Sequence, residues 1–279
     1  MSEITKHISH SFESVSETDI LNIIDTVKRL YKFDLEHFTP IYLNRRIVYS
    51  MQKMKVVSVG EYIRRLESID FFEQLLFDLT NDGVEFFRDS QIWKQLIKHL
   101  NNHFSKNDTL KIWFPDFAGG EDLYSFLITL NMQKYISRCL IIASGYSENR
   151  ISFVKNGIYL KPLDETIQNF KNTGMELAPE HFKSMETAIL LQSELTDNVT
   201  FVNSRQQQLN YNQAFDIVFY RNTMIAINKE SQLLIENKIY DSLKTGGYLY
   251  IGINERLMNI PTEIQYKTID EELRIYQKK

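Results

Sequence analysis

Up to about residue 105 the apolar positions recur with a helical period. Ile20, Ile23, Ile24, Val27 and Leu30 fall on one face of a predicted helix over Ile20–Tyr31. Further helices are predicted over Phe38–Met54, Gly60–Glu67 and Phe71–Leu79. A fifth, Ser90–Phe104, places Ile92, Trp93, Leu96, Ile97 and Leu100 on one side. From Thr109 the period changes. Short β-branched or aromatic runs at Leu110–Phe114, Arg138–Ala143, Val199–Asn203, Phe215–Tyr220 and Gly247–Ile253 read as strands. Helical patterns at Glu121–Met132, Ser147–Asn156, Glu180–Leu195 and Lys229–Leu243 separate them. This alternation predicts an α/β fold with a doubly wound, mostly parallel sheet behind a small all-helical domain. The SKND segment breaks both patterns, so the expected domains are residues 1–105 and 106–279. Tyr159–Leu195 is too long for a simple connection and is expected to hold a helix and a short insertion. The charged tail, Asp270–Lys279, is expected to fray after a strand near Tyr266–Ile269.

The stretch KIWFPDFAGGEDLYSFLITL, residues 111–130, carries the most chemistry. An apolar run meets Gly119–Gly120, and Glu121 and Asp122 open an amphipathic run. A strand, a tight glycine turn and a helix can bring backbone close to a nucleotide-like ligand. Two carboxylates there suit a cationic group or ribose hydroxyls and disfavour phosphate. The same turn also serves as plain α/β architecture, and Glu121 in a first helical turn also meets the helix dipole.

Composition narrows the field. A net charge of −4 argues against a dominant nucleic-acid footprint. No run approaches a membrane span and the first residues lack a signal-peptide h-region, so a cytoplasmic setting without membrane insertion is expected. The one cysteine, Cys139, sits in an apolar run and reads as core. His99 and His103 share a helix face, but no third ligand suggests a metal.

Five segments in order resemble the CheR family, which esterifies glutamates on chemotaxis receptors using S-adenosylmethionine. Phe86–Asp89 (FFRD) resembles its FFR signature, and Gly120–Ser125 (GEDLYS) its GEEPYS loop. Gly157–Tyr159 (GIY) falls on its G-x-Y. Phe215–Asn222 (FDIVFYRN) resembles FDLIFCRN, and Leu243–Glu255 (LKTGGYLYIGINE) resembles LKPGGYLFLGHSE. The resemblance implies a Rossmann-like methyltransferase sheet, with S-adenosylmethionine as cofactor and S-adenosylhomocysteine as product. It implies that Arg88 positions the substrate carboxylate, and that Gly119, Gly120, Glu121 and Asn222 hold the cofactor. Arg45, Arg46 and Lys53, with Lys55 nearby, would meet acidic receptor helices or another signalling protein. Each also has a structural alternative: a surface ion pair for Arg88, a helix cap for Asn222, a solvated face for the basic cluster.

Four positions depart from the family. Its ribose-binding acid is Gly145 here, the Thr before FFR is Val84, an Asn near adenine aligns with Arg205, and a Tyr near the methyl is Ala226. Glu148 and Asp122 are the candidates to compensate. Two functions stay open on the sequence: a receptor glutamate methyltransferase, or a binding or scaffold protein with a weakened cofactor site. A third, transfer to a small molecule, leaves the basic helix without a role. In the family a small β insertion can bind a receptor tail peptide; the helical pattern at 180–195 argues against that here.

Overall fold

The computed structural model describes residues 14–80, 85–104, 108–160, 163–175, 182–185, 188–207, 211–258 and 262–279. The chain forms two compact units, Met1–Leu79 and Thr80–Lys279.

The first unit is helical: α1 (Glu17–Tyr31), α2 (Pro40–Lys53), α3 (Val59–Arg65) and α4 (Ile69–Leu79). Local chemistry fixes the starts. Ser16, Thr39 and Ser58 each accept a backbone N–H from the third residue of the helix they cap, and Pro40 opens α2 with its φ already set. Tyr31 stacks flat on Phe72 at 3.8 Å, tying α1 to α4.

The second unit begins earlier than the change of period suggests. Helix α5 (Gln91–His103) puts Ile92, Trp93, Leu96 and Leu100 into the same core as the sheet. The compact units therefore meet at Leu79 and Thr80, ahead of residue 105, because a helical pattern does not reveal which core a helix joins. The elements that follow are β1 (Leu110–Phe114), α6 (Glu121–Met132), β2 (Cys139–Gly145), α7 (Glu148–Asn156), β3 (Ile158–Tyr159), α8 (Leu163–Asn172), β4 (Phe182–Met185) and β5 (Ala188–Leu191). After them come β6 (Val199–Asn203), β7 (Phe215–Tyr220), α9 (Lys229–Ser242), β8 (Leu243–Ile251), α10 (Thr262–Gln265), β9 (Tyr266–Asp270) and β10 (Ile275–Lys278).

Among the described residues the main sheet has seven strands in the order β6-β2-β1-β7-β8-β10-β9. The pairs from β6 to β8 are parallel, and β10 runs antiparallel to both β8 and β9. The expected doubly wound sheet is present. Its faces follow the two-residue period of a strand. Ile112 and Phe114 of β1, with Ile217 and Phe219 of β7, point into one core cluster; Trp113, Val218 and Tyr220 point into another. The strand order reverses between β1 and β7, so a crevice opens beyond their carboxyl ends.

Three expectations need correction. Helix α6 is not amphipathic in place: Leu123–Leu130 are all buried. Its hydroxyls avoid an unpaired state by bonding backward, Ser125 Oγ to the Glu121 carbonyl and Thr129 Oγ1 to the Ser125 carbonyl, both at 2.7 Å. The segment expected as a helix over Glu180–Leu195 instead contributes β4 and β5, which form a small antiparallel sheet in the order β3-β5-β4. The run Ala188–Leu191 is a short apolar stretch, which periodicity cannot assign to helix or strand. The tail does not fray. Ile275 is fully buried in β10, which lies between β8 and β9, and Lys278 Nζ donates to the carbonyls of Tyr240 and Leu243 at 2.6 and 2.8 Å. Charge in Asp270–Lys279 concealed an inner strand whose lysine ends on carbonyls.

Removing residues 275–279 should therefore lower stability by more than about 3 kcal/mol, since it deletes the buried Ile275 and Tyr276 side chains and leaves β9 without its partner. A urea titration followed by far-UV circular dichroism measures it; an unchanged midpoint would contradict the inner-strand placement.

Candidate active site

The loop after β1 is shaped by its own side chains. Asp116 Oδ1 accepts the Ala118 N–H at 2.9 Å, and Ala118 takes a left-handed φ of 49°. Gly120 follows at φ 96° and leads into α6. A Cβ at Gly120 would lie 2.3 Å from the Tyr159 hydroxyl, and one at Gly119 would lie 2.2 Å from Glu121 Oε2. The glycines are thus required by close approach of Tyr159, which donates to the Gly119 carbonyl at 3.0 Å, and of the Glu121 carboxylate folded back over the loop. Glu121 is 2% exposed. Burial pushes the Tyr159 hydroxyl well above its usual range, with the Glu121 charge acting the same way.

At the end of β7, Arg221 and Asn222 complete the crevice. The Arg221 side chain is fully buried. Its Nη1 donates to Asp122 Oδ1 at 2.9 Å and its Nη2 to Asp89 Oδ2 at 2.5 Å. Its Nε has no acceptor among the described residues, leaving a buried donor beside the cavity. Asn222 holds a left-handed φ of 61° and donates through Nδ2 to Asp122 Oδ2 at 3.3 Å. Glu255, in the loop after β8, secures this turn. It accepts the N–H groups of Asn222, Met224 and Gly252 at 2.9, 2.7 and 2.7 Å. Burial raises the carboxyls of both Asp122 and Glu255, opposed by Arg221 at Asp122 and by the three N–H groups at Glu255.

Arg88 stands between two residues in left-handed conformation, Phe87 and Asp89, each at φ 55°. Such geometry costs on the order of 1–3 kcal/mol per residue and persists only where the surroundings impose it. Here Ser125 Oγ accepts the Phe87 N–H at 2.8 Å and Arg221 binds Asp89. Arg88 is half-buried as a residue, and among the described residues no hydrogen bond or ion pair engages its guanidinium. Its charge helps hold Asp122 ionised. The structure thus brings Arg88, Glu121 and Asn222 around Asp122 and Arg221. In the first unit, Arg46 Nε donates to the Asp78 carbonyl, and Lys53 Nζ meets Asp78 Oδ1 at 2.6 Å. Those two cations help tie α2 to α4, while the Arg45 guanidinium lies 5.6 Å from the Tyr42 ring centroid.

The departures resolve unequally. Val84 lies outside the described residues. Ala226 is buried in the turn Met224–Ala226. The amide at the end of β6 is Asn203, buried, with Nδ2 on Glu148 Oε1 at 2.6 Å; Arg205 donates its backbone N–H to Asn203 Oδ1. At Gly145 a Cβ would lie 2.7 Å from Cζ of Phe117. The expected ribose acid is replaced by an aromatic ring from the first loop. His99 Nδ1 meets the Tyr250 hydroxyl at 2.7 Å, and burial lowers the His99 pKa to about 4.

Sequence reasoning missed Asp89, Asp116, Phe117 and the clamp made by Glu255. Asp89 adjoins Arg88 and Glu255 ends a quoted motif, so their positions were visible while their partners were not.

The family described as CheR methyltransferase, SAM binding domain, matches residues 83–272. The chain belongs to the CheR methyltransferase family. It is similar to a Pseudomonas putida protein named Cher3, with 24% identity covering 95% of this chain and 98% of that one. It is also similar to the chemotaxis protein methyltransferases of Listeria innocua (25% identity, 87% and 92% covered) and Salmonella typhimurium (26%, 80% and 78%). S-adenosylmethionine is the CheR cofactor, and the matched region is the domain that binds it.

The residues present fit that cofactor at one end. Glu121, Asp122 and Asp89 outnumber the guanidiniums of Arg221 and Arg88, which suits a cationic ammonium and sulfonium. The free space bounded by Phe114, Asp116, Phe117, Ala118, Glu121, Asp122, Phe219 and Arg221 is about 10 Å³, room for one water.

Burial raises the Asp116 carboxyl from 3.8 to about 6, against the Ala118 N–H and Arg150. The folded chain thus keeps this proton to higher pH than the unfolded chain, and the associated stability is lost as pH rises through about 6. Asp116→Asn, which keeps the Oδ1 acceptor, should be more stable than wild type by ~1–3 kcal/mol at pH 8 and equal to it near pH 3.5. Paired urea titrations at the two pH values check this; an equal difference at both would refute it.

Proposed function

We propose that this CheR-family chain is a cytoplasmic protein-glutamate O-methyltransferase acting on acidic helices of a chemotaxis receptor or another signalling protein. The observation that carries the reading is Arg88, a half-buried residue on a segment held in costly backbone conformation beside the Asp122–Arg221–Asn222 cluster. A guanidinium can hold a carboxylate in a fixed fork. A glutamate of pKa about 4.3 is ionised at pH 7, so the site needs no general base, only alignment and exclusion of water. In this reading Gly119, Gly120, Glu121 and Asn222 form the cationic end of the cofactor site. No described helix is long and apolar enough to cross a membrane.

Docking would use two features. Arg45 leads the basic face of α2, with Lys53 partly neutralised by the Asp78 carboxylate and Arg46 bonded to the Asp78 carbonyl. Strand β4 forms one edge of the small antiparallel sheet, and an edge strand can accept an extended peptide. A second reading, a partner-binding protein without transfer, draws on the ring of Phe117 at Gly145.

Transfer is measured by incubating the chain with methyl-labelled S-adenosylmethionine and a receptor cytoplasmic fragment, then counting base-labile methanol. Arg88→Ala should reduce the rate by about 100-fold or more while S-adenosylhomocysteine binding stays within about twofold. Absence of base-labile label with wild type at millimolar cofactor would sink the transferase reading and leave the second one.

A further inference from the structure

Three strand ends converge on one side chain. Phe117 leaves the β1 loop, its N–H bonded to the Ser144 carbonyl of β2 at 3.2 Å. Its ring is 3% exposed and packs edge-to-face on Phe201 of β6, with centroids 5.8 Å apart at 85°. Cζ and Cε1 stand 2.7 and 2.8 Å from where a Cβ at Gly145 would be. Real Cβ atoms do not approach carbon that closely, so no side chain at position 145 coexists with this ring position. Phe117 and Gly145 are a steric pair, and the ring lies where an acid at 145 would extend.

We propose that Phe117 is the built-in occupant of the adenosine half of this chain's site, and that S-adenosylmethionine and S-adenosylhomocysteine bind only when the ring rotates out. This rests on reading the crevice as a cofactor site. A flat apolar ring on Phe201 is what a nucleobase would replace, so exchange of one for the other keeps that surface dry. The polar group expected near a ribose is also at hand. Asn203 lies opposite Gly145 in register, and its amide holds the half-buried Glu148. The backbone need not move. The loop is pinned by the Asp116–Ala118 turn and by the Gly120 N–H on the Phe117 carbonyl at 2.8 Å, so the ring turns about its own side-chain torsions.

The consequence is a penalty on affinity. A ligand that binds only the open arrangement has its apparent dissociation constant raised by the inverse of the open fraction. Phe117→Ala removes the occupant, so S-adenosylhomocysteine should bind it at least about tenfold more tightly than wild type by calorimetry. Packing gives an independent readout. Gly145→Ala should lower the melting temperature of wild type clearly and that of the Phe117→Ala variant little or not at all. Equal affinities in wild type and Phe117→Ala, or no binding by either, would overturn the proposal. An equal cost of Gly145→Ala in both backgrounds would overturn it as well. The methyl-ester assay separates this from the functional reading. Tighter binding by Phe117→Ala without ester formation leaves the ring's role standing and removes the transferase. Ester formation by wild type with no change in affinity on Phe117→Ala does the reverse.

Discussion

The arrangement of the site depends on one guanidinium. Arg221, wholly buried at the end of β7, is bonded to Asp122 on α6 and to Asp89 beside Arg88. Three segments distant in sequence thereby share a single charge. Its planar fork spends two donors on two carboxylates in fixed directions, a geometry an ammonium group cannot reproduce. Trp93 and Phe219 lie within 5.8 Å of the guanidinium, so the pairs operate in a poorly screened environment. Removing one partner from such a set leaves an uncompensated buried charge, which typically costs about 3–5 kcal/mol.

That interaction explains why the backbone around it tolerates unfavourable conformations. Phe87, Asp89, Ala118 and Asn222 all have positive φ, and all lie in segments that Arg221, Asp122, Glu255 or Asp116 fasten. The crevice is consequently stiff and acidic on its β7 side. On its β2 side it is apolar, closed by Phe117 against Phe201. The two sides differ in kind: one is a charged, hydrogen-bonded network, the other a small piece of hydrophobic core.

The sequence showed the strands best where composition and context agreed. Leu110–Phe114 and Phe215–Tyr220 are short apolar runs next to helical patterns, and both form at their expected bounds. Pattern failed where it carries no partner information. Ala188–Leu191 is apolar in either state, and its strand character comes from pairing with Ile158–Tyr159 and with Phe182–Met185. Ile275–Lys278 looked like a solvated tail because its lysine was assumed to face water, whereas the ammonium ends on two carbonyls. Gly145 was legible as a missing acid; that a phenylalanine distant in sequence fills the gap was not, because steric complementarity between loops leaves no trace in periodicity. Arg88, Glu121 and Asn222 stood out through motif resemblance, while the clamp of Glu255 on three backbone N–H groups depends on a turn conformation no spacing encodes.

The inner position of β10 bears on how the protein is made. β9 bonds to β10, and β10 to β8, so Tyr266–Asp270 joins the sheet only through residues synthesised after it. During translation the β6-to-β8 portion can pair while the ribosome still holds its closing segment, with the β8 edge open until Ile275–Lys278 emerge. The nascent chain thus carries an unfilled strand edge at β8 until Ile275–Lys278 have been made, an interval in which that edge is open to pairing with another strand.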